Sequence, residues 1–227
     1  MTEISDAVVL VTGANGGLGT EFVRQALAGG AKKVYAAARS PRQWDDPRVL
    51  PLTLDVTDEA AIERAARDAA DVDVLINNAG ILRQGDLLTG DVADVRAQLE
   101  TNLFGPLLLT RAFAPRLVAA KGAVINVASV LSWLAWGKGY SISKAALWSA
   151  TEGLRLELEP QGVQVVGAYL AFTDTPMNDG LTDQPMNDPA DVVAAIYDGL
   201  RRGHGEVLAD DTTRAVRAGL SRVANAA

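Results

Sequence analysis

The chain of 227 residues contains no cysteine and a single histidine, His204. Those two absences exclude disulfides, iron–sulfur clusters, thiolate zinc sites and any multi-histidine metal centre. Basic side chains are in the minority, 21 Lys and Arg against 28 Asp and Glu, giving a net charge of −7. A surface of that sign argues against a general electrostatic grip on nucleic acid or on an anionic membrane, but not against a small anion in one basic pocket. No apolar run reads as long enough to span a bilayer, and the polar, acidic start at Met1–Asp6 does not resemble a secretory signal. The lack of cysteine fits a reducing compartment, so a cytoplasmic location is expected. With 48% hydrophobic and 22% charged residues, the composition is that of an ordinary globular domain.

Short apolar runs alternate with longer helical stretches. Strands are expected at Ala7–Val11, Lys33–Ala38, Val49–Leu54, Val72–Ile76, Ala123–Val127 and Val163–Ala168, each buried on both faces, with a weaker seventh at Glu206–Ala209. Helices are expected at Gly17–Ala28, Asp58–Ala70, Asp91–Ala120, Gly139–Glu159 and Pro189–Arg202, with Asp58 and Asp188 as N-caps. This alternation implies an α/β fold: one domain over 1–227, a doubly wound parallel sheet of about seven strands with helices on both faces. Residues 172–188 form the one long irregular segment, the length of a functional lid, and 210–227 form a C-terminal helix or tail.

The first strand runs into Thr12-Gly13-Ala14-Asn15-Gly16-Gly17-Leu18-Gly19, after which a helix begins. Glycines suit a tight turn whose backbone must approach a pyrophosphate, with the positive end of the next helix facing the anion. The spacing T-G-x-x-x-G-x-G resembles the turn of the short-chain dehydrogenase/reductase family, and the likeness extends from the first strand to about Ala209. It implies a single-domain Rossmann fold and a nicotinamide cofactor. Arg39 follows the second strand about 20 residues after the last glycine of the turn, with Ser40 next and Arg42 close by. An arginine there suits the 2′-phosphate of NADP, whereas an acidic residue would suit NAD, so NADP(H) is preferred and NAD(H) possible. Against this, Gly16 stands where many NADP-using relatives carry a second basic residue. By the same resemblance Asp55-Val56 lines the adenine ring, and Asn77-Asn78-Ala79-Gly80 steadies the central sheet and the nucleoside.

Tyr140-Ser141-Ile142-Ser143-Lys144 carries the strongest chemical signal. On a helix opened by Gly139, Tyr140 and Lys144 stand at i and i+4 on one face. The ammonium is expected to lower the phenol pKa toward the working range of a general acid or base. The family resemblance implies that Ser129 binds the substrate oxygen, Tyr140 transfers the proton, Lys144 holds the nicotinamide ribose, and Asn102 holds a water in the proton relay. An Asn inside a long helix is locally unfavourable and suggests an irregularity there. Ser132 is a nearer rival to Ser129.

Two places depart from the family pattern. The Ser129–Tyr140 interval is short and holds Trp133 and Trp136, which are expected to wall an apolar substrate pocket. After the sixth strand, Leu170-Ala171-Phe172-Thr173-Asp174-Thr175 stands where the family has P-G-x-x-x-T. Thr175 is retained and Thr173 should meet the carboxamide, but a rigid and a permissive residue are lost. Met177 and Met186 suit a lid over a small apolar carbonyl or alcohol. Trp148, Leu154, Leu156 and Leu158 on the helix from Gly139 suggest pairing between subunits, as a homodimer or homotetramer. His204 is assigned no role. The alternative to an active oxidoreductase is a catalytically silent dinucleotide-binding regulatory protein.

Overall fold

The computed structural model describes residues 2–181 and 183–224. Thr182 of the expected lid and residues 225–227 of the expected tail lie outside them. Seven parallel strands form one sheet: β1 (Val8–Thr12), β2 (Lys33–Ala38), β3 (Val49–Thr53), β4 (Val74–Asn77), β5 (Ala123–Val127), β6 (Gln164–Tyr169) and β7 (Glu206–Leu208). Their spatial order is β3-β2-β1-β4-β5-β6-β7. Strand order reverses between β1 and β4, which opens a crevice at the carboxyl ends of those strands. β1, β4 and β5 are buried at every residue, as continuous apolar runs between two helical layers should be. β3 departs from that expectation: Leu50 and Thr53 are exposed, because β3 is an edge strand paired only with β2. Pro51 is tolerated there for the same reason.

Helices α1 (Gly17–Ala28), α2 (Glu59–Asp68), α5 (Gly139–Leu158) and α6 (Pro189–Arg201) fall close to their expected bounds. Asp58 and Asp188 do cap α2 and α6, each accepting from the backbone N–H two residues on. α7 (Asp211–Ala224) fills the expected C-terminal helix. Two core layers result. One packs α1 and α6 on β1, β2, β4, β5 and β6 through Phe22, Val23, Val193 and Ile196; the other packs Leu109, Phe113 and Leu154 on the opposite face.

The long helix expected over Asp91–Ala120 is three pieces: α3 (Val92–Leu99), a π-helical stretch Glu100–Phe104, and α4 (Gly105–Ala120). A π turn inserts one residue into the helical ladder and is common at functional sites. Contrary to the expectation that no run could span a bilayer, Val92–Ala120 is long and apolar enough to do so by length and composition, alone among the described residues. Its packing is that of a layer helix, with Gln98, Asn102 and Thr110 buried against neighbours and Arg116 paired with Asp73.

Of the four apolar residues considered for subunit pairing, Leu154 and Leu158 are buried in the chain's own core and Trp148 packs beside Tyr169. Leu156 alone is turned outward, 80% exposed.

Candidate active site

The glycine turn is built by close approach. Gly13 has φ +66°, and a Cβ there would lie 3.0 Å from Ala79 Cα. At Gly19 a Cβ would sit 2.0 Å from the Gly13 carbonyl oxygen, so the first turn of α1 rests directly on the loop. Gly16, the N-cap of α1, is exposed and offers no side chain to the helix N-terminus, and a Cβ there would meet open space. Leu18 packs its side chain on the core below. An uncapped helix N-terminus beneath a cradle of small residues fits the pyrophosphate of a dinucleotide.

Thr12, at the end of β1, ties this turn to the next strand. Its hydroxyl donates to the Ile76 carbonyl and accepts from the backbone N–H groups of Asn78 and Ala79. The Asn78 amide returns the contact, donating to the Thr12 carbonyl at 2.8 Å. Asn77 instead points into the sheet, donating to Asn126 Oδ1 at 2.8 Å, while Asn126 donates to Thr151 on α5. That buried ladder fixes β4 and β5 against α4 and α5. Thr12 was not singled out in the sequence, although it opens the motif there.

At the adenosine edge, Arg39 and Ser40 are exposed just past β2. The Asn15 amide bridges from the glycine turn, donating to the Ser40 carbonyl and accepting from the Arg42 N–H. Arg42 lays its guanidinium over the Trp44 ring, 4.0 Å from its centroid. The N–H and hydroxyl of Thr57 hold the Asp55 carboxylate below its usual pKa, with Arg39 adding to the effect. Val56 is buried against Gly105. A groove of about 520 Å³ lined by Arg39, Thr53, Asp55, Asp58 and Arg64 runs along β3 and α2, on this side of the molecule and away from Tyr140.

Tyr140 and Lys144 share one face of α5, and Lys144 Nζ lies 5.6 Å from the Tyr140 ring centroid. Both side chains are buried. Lys144 donates to the Val127 carbonyl at 2.8 Å, its one acceptor among the described residues, which leaves donors of the ammonium for a ligand. Burial holds its pKa down to about 8. Burial also pushes the Tyr140 phenol up, opposite to the lowering expected from the neighbouring ammonium. Desolvation of the phenolate outweighs the cation here.

Asn102 lies in the π-helical stretch and is buried. Its amide pairs both ways with the Ile81 backbone, at 2.9 Å each, and donates to Ser143 Oγ at 3.0 Å. Ser143 thus joins the site unforeseen, linking Asn102 to the first turn of α5. Gly80 fits between them, since a Cβ would lie 3.3 Å from Asn102 Oδ1 and 3.9 Å from Lys144 Nζ. Ser129 caps a short 3₁₀ turn (Val130–Ser132), accepting from Leu131 N–H and donating to the Leu170 carbonyl. The rival Ser132 spends its hydroxyl on the Lys144 carbonyl. A second 3₁₀ turn (Ala135–Gly137) and Lys138 at φ +50° complete the short link to Tyr140. Lys138 forms an ion pair with Asp86 across this rim.

Trp133 stacks on Tyr169, with ring centroids 4.6 Å apart, and lies under the Arg217 guanidinium of α7. Trp136 is 79% and Met177 43% exposed. Thr173 is buried and bridges to Asn187, closing the base of the irregular segment, and Asn178 donates to the Thr173 carbonyl. Thr175 stands 3.2 Å from where a Gly17 Cβ would be, so this segment meets the glycine turn. His204 is exposed in its turn.

Residues 7–186 match the family model described as short chain dehydrogenase. An oxidoreductase of Staphylococcus saprophyticus is 32% identical over 218 residues, which span 87% of this chain and 92% of that one. Among solved structures, a short chain dehydrogenase from Burkholderia cenocepacia in complex with NADP is 37% identical, with a TM-score of 0.92 over 97% of this chain and 95% of that one. A short-chain dehydrogenase from Sphingobium yanoikuyae in complex with NADPH is 27% identical, with a TM-score of 0.82 and 95% of each chain covered. Several fungal and vertebrate relatives are longer, and the chain spans 56 to 66% of their length. By its sequence, its sheet order and its glycine turn, the chain belongs to the short-chain dehydrogenase family of oxidoreductases.

Proposed function

We propose that this chain interconverts a carbonyl and an alcohol with NADP(H) in preference to NAD(H), using Tyr140 as the general acid and base. The observation that carries this reading is the pairing of Tyr140 with Lys144 on one buried face of α5, with Lys144 bonded to the Val127 carbonyl at the end of β5, two residues before Ser129. The NADP and NADPH complexes of the Burkholderia and Sphingobium proteins support the cofactor choice, as does the exposed Arg39 past β2. The backbone N–H groups at Gly16–Leu18 would hold the pyrophosphate, that of Gly19 being given to the Gly16 carbonyl; Arg39 and Ser40 would hold the 2′-phosphate, Asp55 and Val56 the adenine, and Asn78, Ala79 and Gly80 the nucleoside. Thr173 and Thr175 would receive the carboxamide end.

When bound, the nicotinamide supplies or accepts the hydride. Ser129 Oγ turns its one hydrogen from the Leu170 carbonyl to the substrate oxygen and holds that oxygen for Tyr140 Oη. In reduction, Tyr140 gives its proton to that oxygen as the alcohol forms. The raised phenol pKa leaves Tyr140 protonated at neutral pH, and its proton transfer relies on stabilisation of the phenolate by Lys144. Lys144 holds the nicotinamide ribose and stabilises the phenolate left behind, and a water held beside Asn102 returns a proton from solvent. Trp133, Trp136 and Met177 would wall the substrate side under the 172–188 lid. Phe104, Ile142 and Leu156, exposed on the outer helices, support assembly as a homodimer or homotetramer.

A panel of aldehydes, ketones and alcohols tests the reading, with NADPH or NADP consumption followed by nicotinamide absorbance. Turnover of at least one apolar carbonyl is expected. Tight NADPH binding without turnover across the panel would favour the silent regulatory protein.

A further inference from the structure

The turn after β6 lacks the proline and glycine that the family places there, and Leu170-Ala171 must be held by other means. Ala171 N–H donates to Asp210 Oδ2 at 2.8 Å. The same peptide unit presents the Leu170 carbonyl on its opposite side. That oxygen accepts from Val130 N–H at 2.9 Å and from Ser129 Oγ at 3.4 Å. Asp210 is itself buried, and its carboxylate is fixed by Thr213, whose N–H donates to Oδ1 and whose hydroxyl donates to Oδ2. A single amide plane therefore stands between a carboxylate on α7's entry and the hydroxyl of Ser129.

We propose that Asp210 is a positioning residue for the redox reaction, acting on Ser129 through the Leu170–Ala171 peptide. A carboxylate on the N–H side of an amide draws its dipole into line and strengthens the carbonyl as an acceptor, because hydrogen bonds in chains polarise one another. The Leu170 oxygen then holds the Val130 N–H, and with it the backbone that carries Ser129, in one place, while the single hydroxyl hydrogen of Ser129 turns from that oxygen to the substrate. Leucine leaves φ free where proline would fix it, so the anchor that a pyrrolidine supplies by covalent restraint is supplied here by a charge-assisted hydrogen bond. The role rests on the reading of Ser129 given above. It also gives the C-terminal helix a task in the site, since Asp210 is both its cap and the brace of the turn.

The test compares Asp210→Asn, Asp210→Ser, Thr213→Val, Ser129→Ala and the double variant Asp210→Asn/Ser129→Ala, using the carbonyl that the full chain reduces fastest. Serine keeps an N-cap acceptor for α7 but has one oxygen, too few for both Thr213 and Ala171. Both Asp210 variants should lose about tenfold in kcat, with NADPH Kd changed less than about threefold. Thr213→Val should lower Tm but keep kcat within about twofold of the parent. In the Ser129→Ala background, Asp210→Asn should cost nothing further in kcat, because its route to the substrate is already cut. An equal loss in both backgrounds, or unchanged kcat with a lowered Tm, would reduce Asp210 to a helix cap and overturn the proposal. Full turnover in Ser129→Ala would remove the Ser129 reading itself, and the proposal with it.

Discussion

Gly19 lies so close beneath Gly13 that a methyl group on it would stand 2.0 Å from the Gly13 carbonyl oxygen and 2.9 Å from Ala14 Cα. Both obstacles are backbone, so neither can swing aside. Gly19→Ala should therefore lift α1 off the turn and cost at least about 2 kcal/mol of stability, read by denaturant unfolding. NADPH binding should fall with it. Gly16→Ala is the control. Its backbone is extended at φ −160° and its surroundings are empty, so its unfolding midpoint should stay near that of the parent.

Arg39 is exposed, and Gly16 brings no side chain of its own to the glycine turn. Arg39→Asp should raise the NADPH Kd about a hundredfold and the NADH Kd little, since it removes a cation and adds repulsion only at the 2′-phosphate. Fluorescence titration with both cofactors checks this. Equal losses for the two would detach Arg39 from the phosphate.

Lys144 gives a pH signature with a definite sign. Burial holds its native pKa to about 8, below its ordinary 10.5. The unfolded chain thus carries a proton there that the native chain lacks over roughly pH 8 to 10.5, and the native state gains stability as pH rises through that window. Lys144→Met has no such group. Its Tm relative to the parent should be highest near pH 7 and should fall steadily between about pH 8 and 10. Turnover should be lost at every pH. Parallel Tm curves for the two proteins would show that Lys144 is not held uncharged by burial.

Much of this arrangement was legible because it is local. Alternating apolar runs gave all seven strands, the bounds of β2 and β5 to the residue, and the glycine spacing gave the turn. The i, i+4 pair of Tyr140 and Lys144 needed only a helix. An asparagine out of place at 102 hinted at the π-helical stretch without giving its length. What stayed hidden depends on partners far along the chain. The packing of Trp133 on Tyr169 and under Arg217 joins residues 36 and 84 positions apart and cannot be read from local spacing. Thr12 serves the turn after β4 through bonds to Asn78 and Ala79, and Asp210 braces a loop 39 residues before it. The direction of the Tyr140 pKa was missed for a related reason: spacing reveals the ammonium beside the ring but not the burial of both. β3 reads as a strand buried on both faces, yet at the sheet edge it exposes Leu50 and Thr53.

The central claim is that Tyr140 moves the proton, and Tyr140→Phe tests it with the loss of one oxygen atom. Steady-state reduction of the best carbonyl should fall by about a thousandfold or more, while NADPH Kd and Tm stay close to those of the parent. Turnover within a fewfold of the parent would contradict the account and assign the proton to another group.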